Sequence, residues 1–520
     1  MTTKRDDQSM LKLPIMPLSR LLAAIGQAQT GFDPIISGVA IDSRQVKPGD
    51  LFIAMQGYQV DGRRFIADAF GQGAAAVLAE QSGQSMSGQQ VLGQQAVIEV
   101  PQLNKQLGKL LNEYFGYVTN QINILGITGT NGKTSCSQFA RQLLNKLNIN
   151  CGVVGTLGYG TTDSLIPLVN TTPDALQLHQ FIYQLVNQQV PYLAMEVSSH
   201  GLAQGRVESI AFDVAIFTNL TRDHLDYHQT MEDYAAAKAQ LFSNIALQHA
   251  VINQDDPYAE QMLAACHPAC QRWQYSLQNT RADVVASQIR YLNDGIVAVI
   301  ESPWGKGEIH ISLLGHFNLS NVLAVITGLA ANGIEFNRLL DAAETLKPVT
   351  GRLQTVKSAE DTNEKKQGTD KPAVVVDYAH TPDALVQLLK AVRLHSNQKI
   401  ICVFGCGGDR DKGKRPEMAQ AAYEYADHLV ITSDNPRTEN PKAILDDICQ
   451  GLPTAPELPI DIIEDRREAI QGAIELAKAN DIVVIAGKGH ENYQEIMGKR
   501  LPFSDFEQAT QALLHWSSHD

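Results

Sequence analysis

Hydrophobic positions along the chain fall into short runs, each closed by a loop rich in Gly, Asp or Pro. LFIAM (51–55) and AAAVLAE (74–80) alternate with turn-rich stretches and predict a small α/β unit. INILGI (122–127) then predicts a strand, followed by a Gly-rich turn and a helix beginning near Lys133. Phe139, Leu143, Leu144 and Leu147 recur at helical period and give that helix one apolar stripe. YLAMEV (192–197) and DVAIFT (213–218) are further strands. The same grammar returns in AVVVDY (373–378), IICVFG (400–405), HLVITS (428–433) and IVVIAG (482–487). Strands alternating with helices predict mostly parallel sheets, whose ligands sit beyond the carboxyl ends of the strands. The fold class is therefore α/β, in three domains expected at residues 1–120, 121–349 and 350–520.

Composition narrows the partners. A chain of 520 residues is too long for one core. Its 42 basic and 56 acidic residues give a net charge of −14, which lacks the electrostatic footprint of a nucleic-acid binder. An anionic substrate must then be held by a few local Arg and Lys side chains. The seven cysteines have no zinc-type spacing: Cys266/Cys270 and Cys402/Cys406 are CxxxC pairs without a second pair, and they read as reduced thiols. The polar start MTTKRDDQSM has no signal-peptide character, and no apolar run approaches the roughly 18 residues that span a bilayer. A cytoplasmic protein without membrane insertion is expected. The polar stretch KSAEDTNEKKQGTDKP (357–372) reads as a surface loop.

The chemistry concentrates in GITGTNGKTS (126–135), set between a strand and a helix. Backbone amides of such a loop, with the helix N-terminus, hold phosphate oxygens. Lys133 would meet the transferring phosphate and the Thr134 hydroxyl would ligate Mg²⁺. The general pattern would place glycine at 127, where Ile127 stands; Gly126 and Gly129 take up the turn. Glu196, at the carboxyl end of the next strand, is placed for a second Mg²⁺ contact. His224, in TNLTRDHLDYH, reads from ligand chemistry alone as a structural histidine. Lys238, in YAAAKAQLF, reads as a solvated helix lysine. GCGGDRDKGKRP (405–416) lacks the third glycine of a dinucleotide fingerprint, because Arg410 occupies that position.

TGTNGKT is more specific than the general phosphate loop and resembles the ATP loop of the Mur ligases and of their relative folylpolyglutamate synthase. EVSSHGL, the DH pair, GHFNLSNVLA, DYAHTPDAL and DNPR follow in that family's order. The resemblance covers nearly the whole chain beyond the first dozen residues, apart from 357–372. It implies a central P-loop ATPase-type parallel sheet, a C-terminal Rossmann-like domain, and ATP with two Mg²⁺ ions. Gly129, Thr130, Asn131, Gly132, Lys133, Thr134 and Ser135 would hold the phosphates. Asn318 and Asn321 would meet adenine, and Arg352 and Asp377, with His380 nearby, would close over the nucleotide. Lys133, Glu196, His224 and Lys238 would be catalytic. Thr134, Glu196, His224 and Lys238 would bind metal, Lys238 as its carbamate (N6-carboxylysine).

The resemblance also implies the substrates. The first domain would bind the UDP end of UDP-N-acetylmuramoyl-L-alanyl-D-glutamate through Ile41, Ser43, Tyr58, Gln59 and Val60. Tyr58 and Val60 depart from the family's pattern, so contact there is expected from the backbone. Asn170, Thr171, Thr172, Ser198, Gln204 and Arg206 would receive the muramyl dipeptide. Arg410, Asp434, Asn435, Pro436, Arg437, Gly487 and Glu491 would form the amino-acid pocket. Arg437 in DNPR resembles the branch that adds meso-diaminopimelate, whose extra carboxylate suits a bidentate guanidinium fork. The implied activity is amide formation through an acyl phosphate, by a monomer acting on small molecules. A lysine-adding relative lacks Arg437; a P-loop ATPase or switch protein would need no amino acid.

Overall fold

The computed structural model describes residues 13–28, 31–57, 60–81, 90–92, 95–162, 164–292, 295–356 and 371–517. Tyr58, Gln59, the first dozen residues and 357–370 lie outside the described residues.

Three large sheets follow one another along the chain. The first has five strands in the order Gly38–Ala40, Asp50–Ala54, Ala76–Glu80, Gln95–Val100, Gln90–Leu92. All pairings are parallel except the last. Helix Leu103–Phe115 buries Leu107, Leu110 and Leu111 and packs against helix Ala175–Asn187, joining this sheet to the next.

The second sheet has ten strands. At its centre Asn123–Thr128 lies between Tyr192–Glu196 and Val214–Phe217, all parallel. Every residue of Val214–Phe217 is buried, as a parallel strand covered on both faces requires. Helix Lys133–Lys146 covers one face with Phe139, Leu143 and Leu144; Leu147 forms its C-cap and is half-buried. Beyond Gln271–Ser276 the sheet continues as an antiparallel ribbon of Val284–Leu292, Gly295–Ser302 and Gly305–Ile311. This ribbon is absent from the sequence reading. Its alternating burial along VVASQIRYL reflects one solvated face, which antiparallel sheets tolerate.

The third sheet runs Gln354–Val356, Ala373–Asp377, Ile482–Ala486, Ile400–Phe404, His428–Ile431, Ile460–Ile462, parallel after its first pair. Leu385, Met418 and Ile444 cover one face, while Ile470, Ala473 and Leu513 cover the other. Helices therefore lie on both sides, the doubly wound plan. Asp377, Phe404, Ile431 and Ala486 end neighbouring strands on one edge and deliver their loops to a common region. Among the described residues no helix is long and apolar enough to cross a membrane. All seven cysteines are free thiols.

Candidate functional site

The glycine-rich loop leaves the central strand of the ten-stranded sheet and enters helix Lys133–Lys146. Two of its glycines are required by geometry. A Cβ at Gly129 (φ +151°) would sit 1.9 Å from Thr218 Oγ1, and one at Gly132 (φ +87°) 2.5 Å from Asn321 Oδ1. The loop is pinned from the next strand end: Asn131 N donates to Asn219 Oδ1 (2.9 Å), and Thr218 Oγ1 donates to Asn131 O (2.6 Å). Lys133 Nζ donates to Gly129 O (2.7 Å) and Thr130 O (2.8 Å). Thr130, Asn131, Gly132, Lys133, Thr134 and Ser135 all line a cavity of about 1070 Å³.

Glu196 ends the adjacent strand with 1% of its surface exposed. Its Oε2 accepts from Thr134 Oγ1 (3.0 Å) and Thr156 Oγ1 (3.1 Å), and its Oε1 accepts from Thr156 N (2.8 Å). These donors are neutral, so a buried carboxylate faces the phosphate loop without a directly bonded cation. That donor set, a carboxylate and a hydroxyl beside a phosphate cradle, fits a hard divalent ion. Among the described residues no group of three or more His, Cys, Asp or Glu gathers as a metal site.

Lys238 is buried at 1% exposure, unlike the solvated lysine that its helix suggests. Its Nζ donates 2.8 Å to Gly129 O, the carbonyl that also receives Lys133, and lies 4.5 Å from the Tyr234 ring centroid. Burial first, and then the neighbouring Lys133 charge, push its amine well below the ordinary lysine range. His224 opens toward the same cavity from a left-handed backbone (φ 54°), a strained conformation for a non-glycine residue. Desolvation lowers its pKa, with Asp223 opposing and His200, Lys133 and Lys238 adding to the shift.

The third sheet closes the cavity. Arg352 Nη2 donates to Thr134 Oγ1 (3.3 Å), and its guanidinium stacks 4.3 Å from the Tyr378 centroid. His380 Nε2 lies 3.8 Å from Asp223 Oδ2. Asp377 borders the cavity, but its carboxylate accepts from Leu353 N (2.6 Å) and Ala379 N (2.7 Å) and so fixes two backbone turns. Asn321 lines the cavity. Asn318 lies behind that wall; its Nδ2 donates to Leu314 O (2.8 Å), while its buried Oδ1 has no protein partner. The sequence reading missed the apolar wall beside them, made by Leu277, Ile289, Tyr291, Phe317 and Leu388. Ile289 and Tyr291 come from the antiparallel ribbon, Phe317 and Leu388 from two helices and Leu277 from the loop after Gln271–Ser276, so no local motif announces them.

The dipeptide candidates Asn170, Thr171, Ser198, Gln204 and Arg206 line the same cavity. Thr172 is wholly buried; its hydroxyl donates to Glu196 O (2.9 Å) and accepts from Ser198 N (2.9 Å), tying two loops together. Arg206 Nη1 donates to Thr172 O (2.6 Å). Ile41, Ser43 and Val60 belong to the five-stranded unit and are not part of this lining.

The amino-acid candidates form a second cluster at the edge of the third sheet, where Arg410 alone also lines the large cavity. Asn435 Nδ2 donates to Glu491 Oε2 (2.8 Å), and a Cβ on Gly487 would approach Asp434 Oδ2 to 2.8 Å. Pro436 is buried, and its carbonyl lies against Gly408. Arg437 sits at φ 51°, held by its own N donating to Glu495 O (2.9 Å) and by Met497 N donating to its O (2.6 Å). Its Nη1 donates to Gly408 O (2.8 Å), which brings the guanidinium beside the loop that carries Arg410. The sequence reading passed over Lys488, a wholly buried lysine inside this cluster. Its flanking glycines in AGKGH were the available signal.

The whole chain has relatives of known name. Family models match at residues 35–115 (Mur ligase family, catalytic domain), 127–329 (Mur ligase middle domain) and 351–489 (Mur ligase, glutamate ligase domain). The chain is 44% identical over 500 residues to the UDP-N-acetylmuramoyl-L-alanyl-D-glutamate–2,6-diaminopimelate ligase of Coxiella burnetii, covering 95% of this chain and 99% of that one. It is 43% identical to the protein of the same name from Pseudomonas putida, over 97% and 99% of the two chains. A solved structure of a ligase of that name superposes with a TM-score of 0.66 at 38% identity, covering 92% of this chain and 94% of the other.

Proposed function

The chain belongs to the Mur ligase family, and from that premise we propose that it joins meso-diaminopimelate to UDP-N-acetylmuramoyl-L-alanyl-D-glutamate at the expense of ATP. The observation that carries this reading is one cavity lined by Lys133, Thr134, Glu196, Arg206 and Arg410 together. On this reading the phosphate loop, the dipeptide and the rim of the amino-acid pocket would share one enclosure. The domains assigned at 1–120, 121–349 and 350–520 would then bind UDP-muramoyl, ATP and amino acid in turn. The protein would act as a monomer in the cytoplasm.

A side-chain carboxylate oxygen of the D-glutamyl residue takes the γ-phosphoryl group from ATP, and the bond to the ADP oxygen breaks. The amine of diaminopimelate then attacks the acyl carbon; its C–N bond forms as inorganic phosphate leaves with the acyl oxygen, and the nitrogen loses a proton. The Lys133 ammonium neutralises charge on the transferring group. Mg²⁺ held by Thr134, Glu196, His224 and a Lys238 carbamate would supply Lewis-acid neutralisation at the same phosphoryl oxygens. Burial lowers the proton affinity of the Lys238 amine, which suits carbamate formation, in which the amine lone pair bonds the carbon of CO₂ and a proton departs. Arg437 supports diaminopimelate over lysine because its half-buried guanidinium, 4.0 Å from Glu495, would gain a second carboxylate from diaminopimelate and none from lysine.

The test is phosphate release with ATP, Mg²⁺ and the UDP-muramoyl dipeptide, comparing meso-diaminopimelate with L-lysine. Release that requires dipeptide and amino acid and prefers diaminopimelate is expected, and Arg437→Ala should abolish the preference. Preference for lysine would remove the role given to Arg437. Release indifferent to both substrates would leave a P-loop ATPase.

A further inference from the structure

We infer that Lys488 is the buried cation that positions Asp434, Asn435 and Glu491, and that it tunes their pocket to a zwitterionic ligand rather than a purely cationic one. This rests on the reading that those three residues hold the incoming amino acid.

The lysine has no exposed surface. Its Nζ donates to Glu491 Oε2 (2.8 Å) and Asn435 Oδ1 (3.1 Å) and lies 3.6 Å from Asp434 Oδ1. An ammonium has three protons, and here three pocket residues surround it. Gly487 (φ +120°) and Gly489 (φ +53°) adopt left-handed conformations on either side, which turns the intervening side chain inward. Asn435 shows what the cation fixes. Its Oδ1 receives both Lys488 and Glu495 N (2.9 Å), so its amide nitrogen must point to Glu491 Oε2. Removing the ammonium would release that amide and leave two carboxylates facing each other in a poorly hydrated site.

Charge counting gives the specificity. Asp434, Glu491 and Glu495 are balanced by Lys488, Arg410 and Arg437, and buried Arg466 by Asp505, so apart from the exposed Arg500 the cluster is neutral. The far end of diaminopimelate carries one ammonium and one carboxylate, and it too is neutral. The far end of lysine is an ammonium alone. Without Lys488 the cluster carries an extra negative charge, which repels a carboxylate and attracts a bare ammonium.

Lys488→Ala and Lys488→Met, made in the full chain, test this through steady-state kinetics with both amino acids. For Lys488→Ala, kcat/KM for meso-diaminopimelate should fall about 30-fold or more, as expected when one partner of a buried charge pair is removed. KM for ATP should hold. Added n-butylammonium should restore diaminopimelate use, and n-butanol, a neutral molecule of matching length, should not. Lys488→Met retains an apolar stem of similar size, and its ratio of lysine to diaminopimelate turnover should rise. It carries the test if the alanine variant does not fold. An unchanged KM for diaminopimelate, or equal rescue by butanol, would overturn the assignment. A wild-type chain that uses neither amino acid would overturn the pocket reading and this inference with it.

Discussion

Replacing Asp505 by alanine isolates the device that holds the amino-acid pocket on the third sheet. Asp505 and Arg466 have no side-chain exposure and meet through a two-bonded fork, Nε to Oδ1 and Nη2 to Oδ2, both 2.8 Å. Arg466 also donates to Ala486 O (2.9 Å) and Ser433 O (3.3 Å), at the ends of the two strands whose loops carry Gly487 and Asp434. Asp505→Ala leaves a guanidinium buried without its counter-charge, a defect that costs about 3–5 kcal/mol. In a unit of this size each kcal/mol lowers Tm by about 2–4 °C, so a fall of about 6–20 °C is expected. Calorimetry of the full chain reads it directly. The double replacement Arg466→Met with Asp505→Leu should regain most of the loss, because apolar substitutes for a buried pair are near neutral. It should still raise KM for the amino acid, since the two carbonyls lose their donor. A single variant that costs less than about 1 kcal/mol, the range of an exposed pair, or a double variant as unstable as the single one, would refute the clamp.

Three further outcomes are expected. Lys133→Ala should lower phosphate release by about 10²–10³-fold, the loss typical of one charge-stabilising contact, with Tm retained. Protein stripped of CO₂ should lose activity that bicarbonate restores, and Lys238→Ala should be insensitive to bicarbonate. Arg415 holds the Glu439 carboxyl down from 4.5 to about 2. Because the folded value is the lower one, the unfolded chain takes up the proton first. The stabilisation is full above about pH 4.5 and disappears as pH falls toward 2. Thermal melts across that window should show a shallower acid slope for Glu439→Gln.

The elements were legible where the information is local. Strand ends such as Glu196 and Asp377, and the helix that begins at Lys133, follow from apolar runs closed by turn residues. What escaped depends on partners distant in sequence. Lys238 sits on a helix whose pattern suggests solvent, yet the carbonyl that receives it lies 109 residues away. Lys488 is buried by Asn435 and Asp434, 53 residues and more upstream. Asp377 borders the cavity, and spacing could not reveal that backbone amides already occupy both its oxygens. The ribbon of 284–311 is harder to read, because its alternating half-polar strands lack the continuous apolar runs that mark the buried parallel strands.

The contacts between the central and third units bear on how the cavity works. Arg222 meets Glu417 (2.7 Å) and Asp411 (3.5 Å), Asp223 faces His380 (3.8 Å), and Arg352 reaches Thr134 (3.3 Å). Arg222 keeps 43% of its side chain exposed, so its two ion pairs lose little when they separate into water, while Leu314 and Phe317 add a small apolar contact with the third unit's core. A junction of this kind suits units that part to admit bulky, charged substrates and rejoin afterwards. Rejoining matters chemically, because an acyl phosphate left open to solvent is lost to hydrolysis before the amine arrives. The edge of the third sheet that brings Arg352 and His380 to the phosphate loop also carries the loops of Asp434 and Glu491, each from a different strand. The proposed function therefore predicts that closure over the nucleotide and delivery of the amino acid occur in one movement.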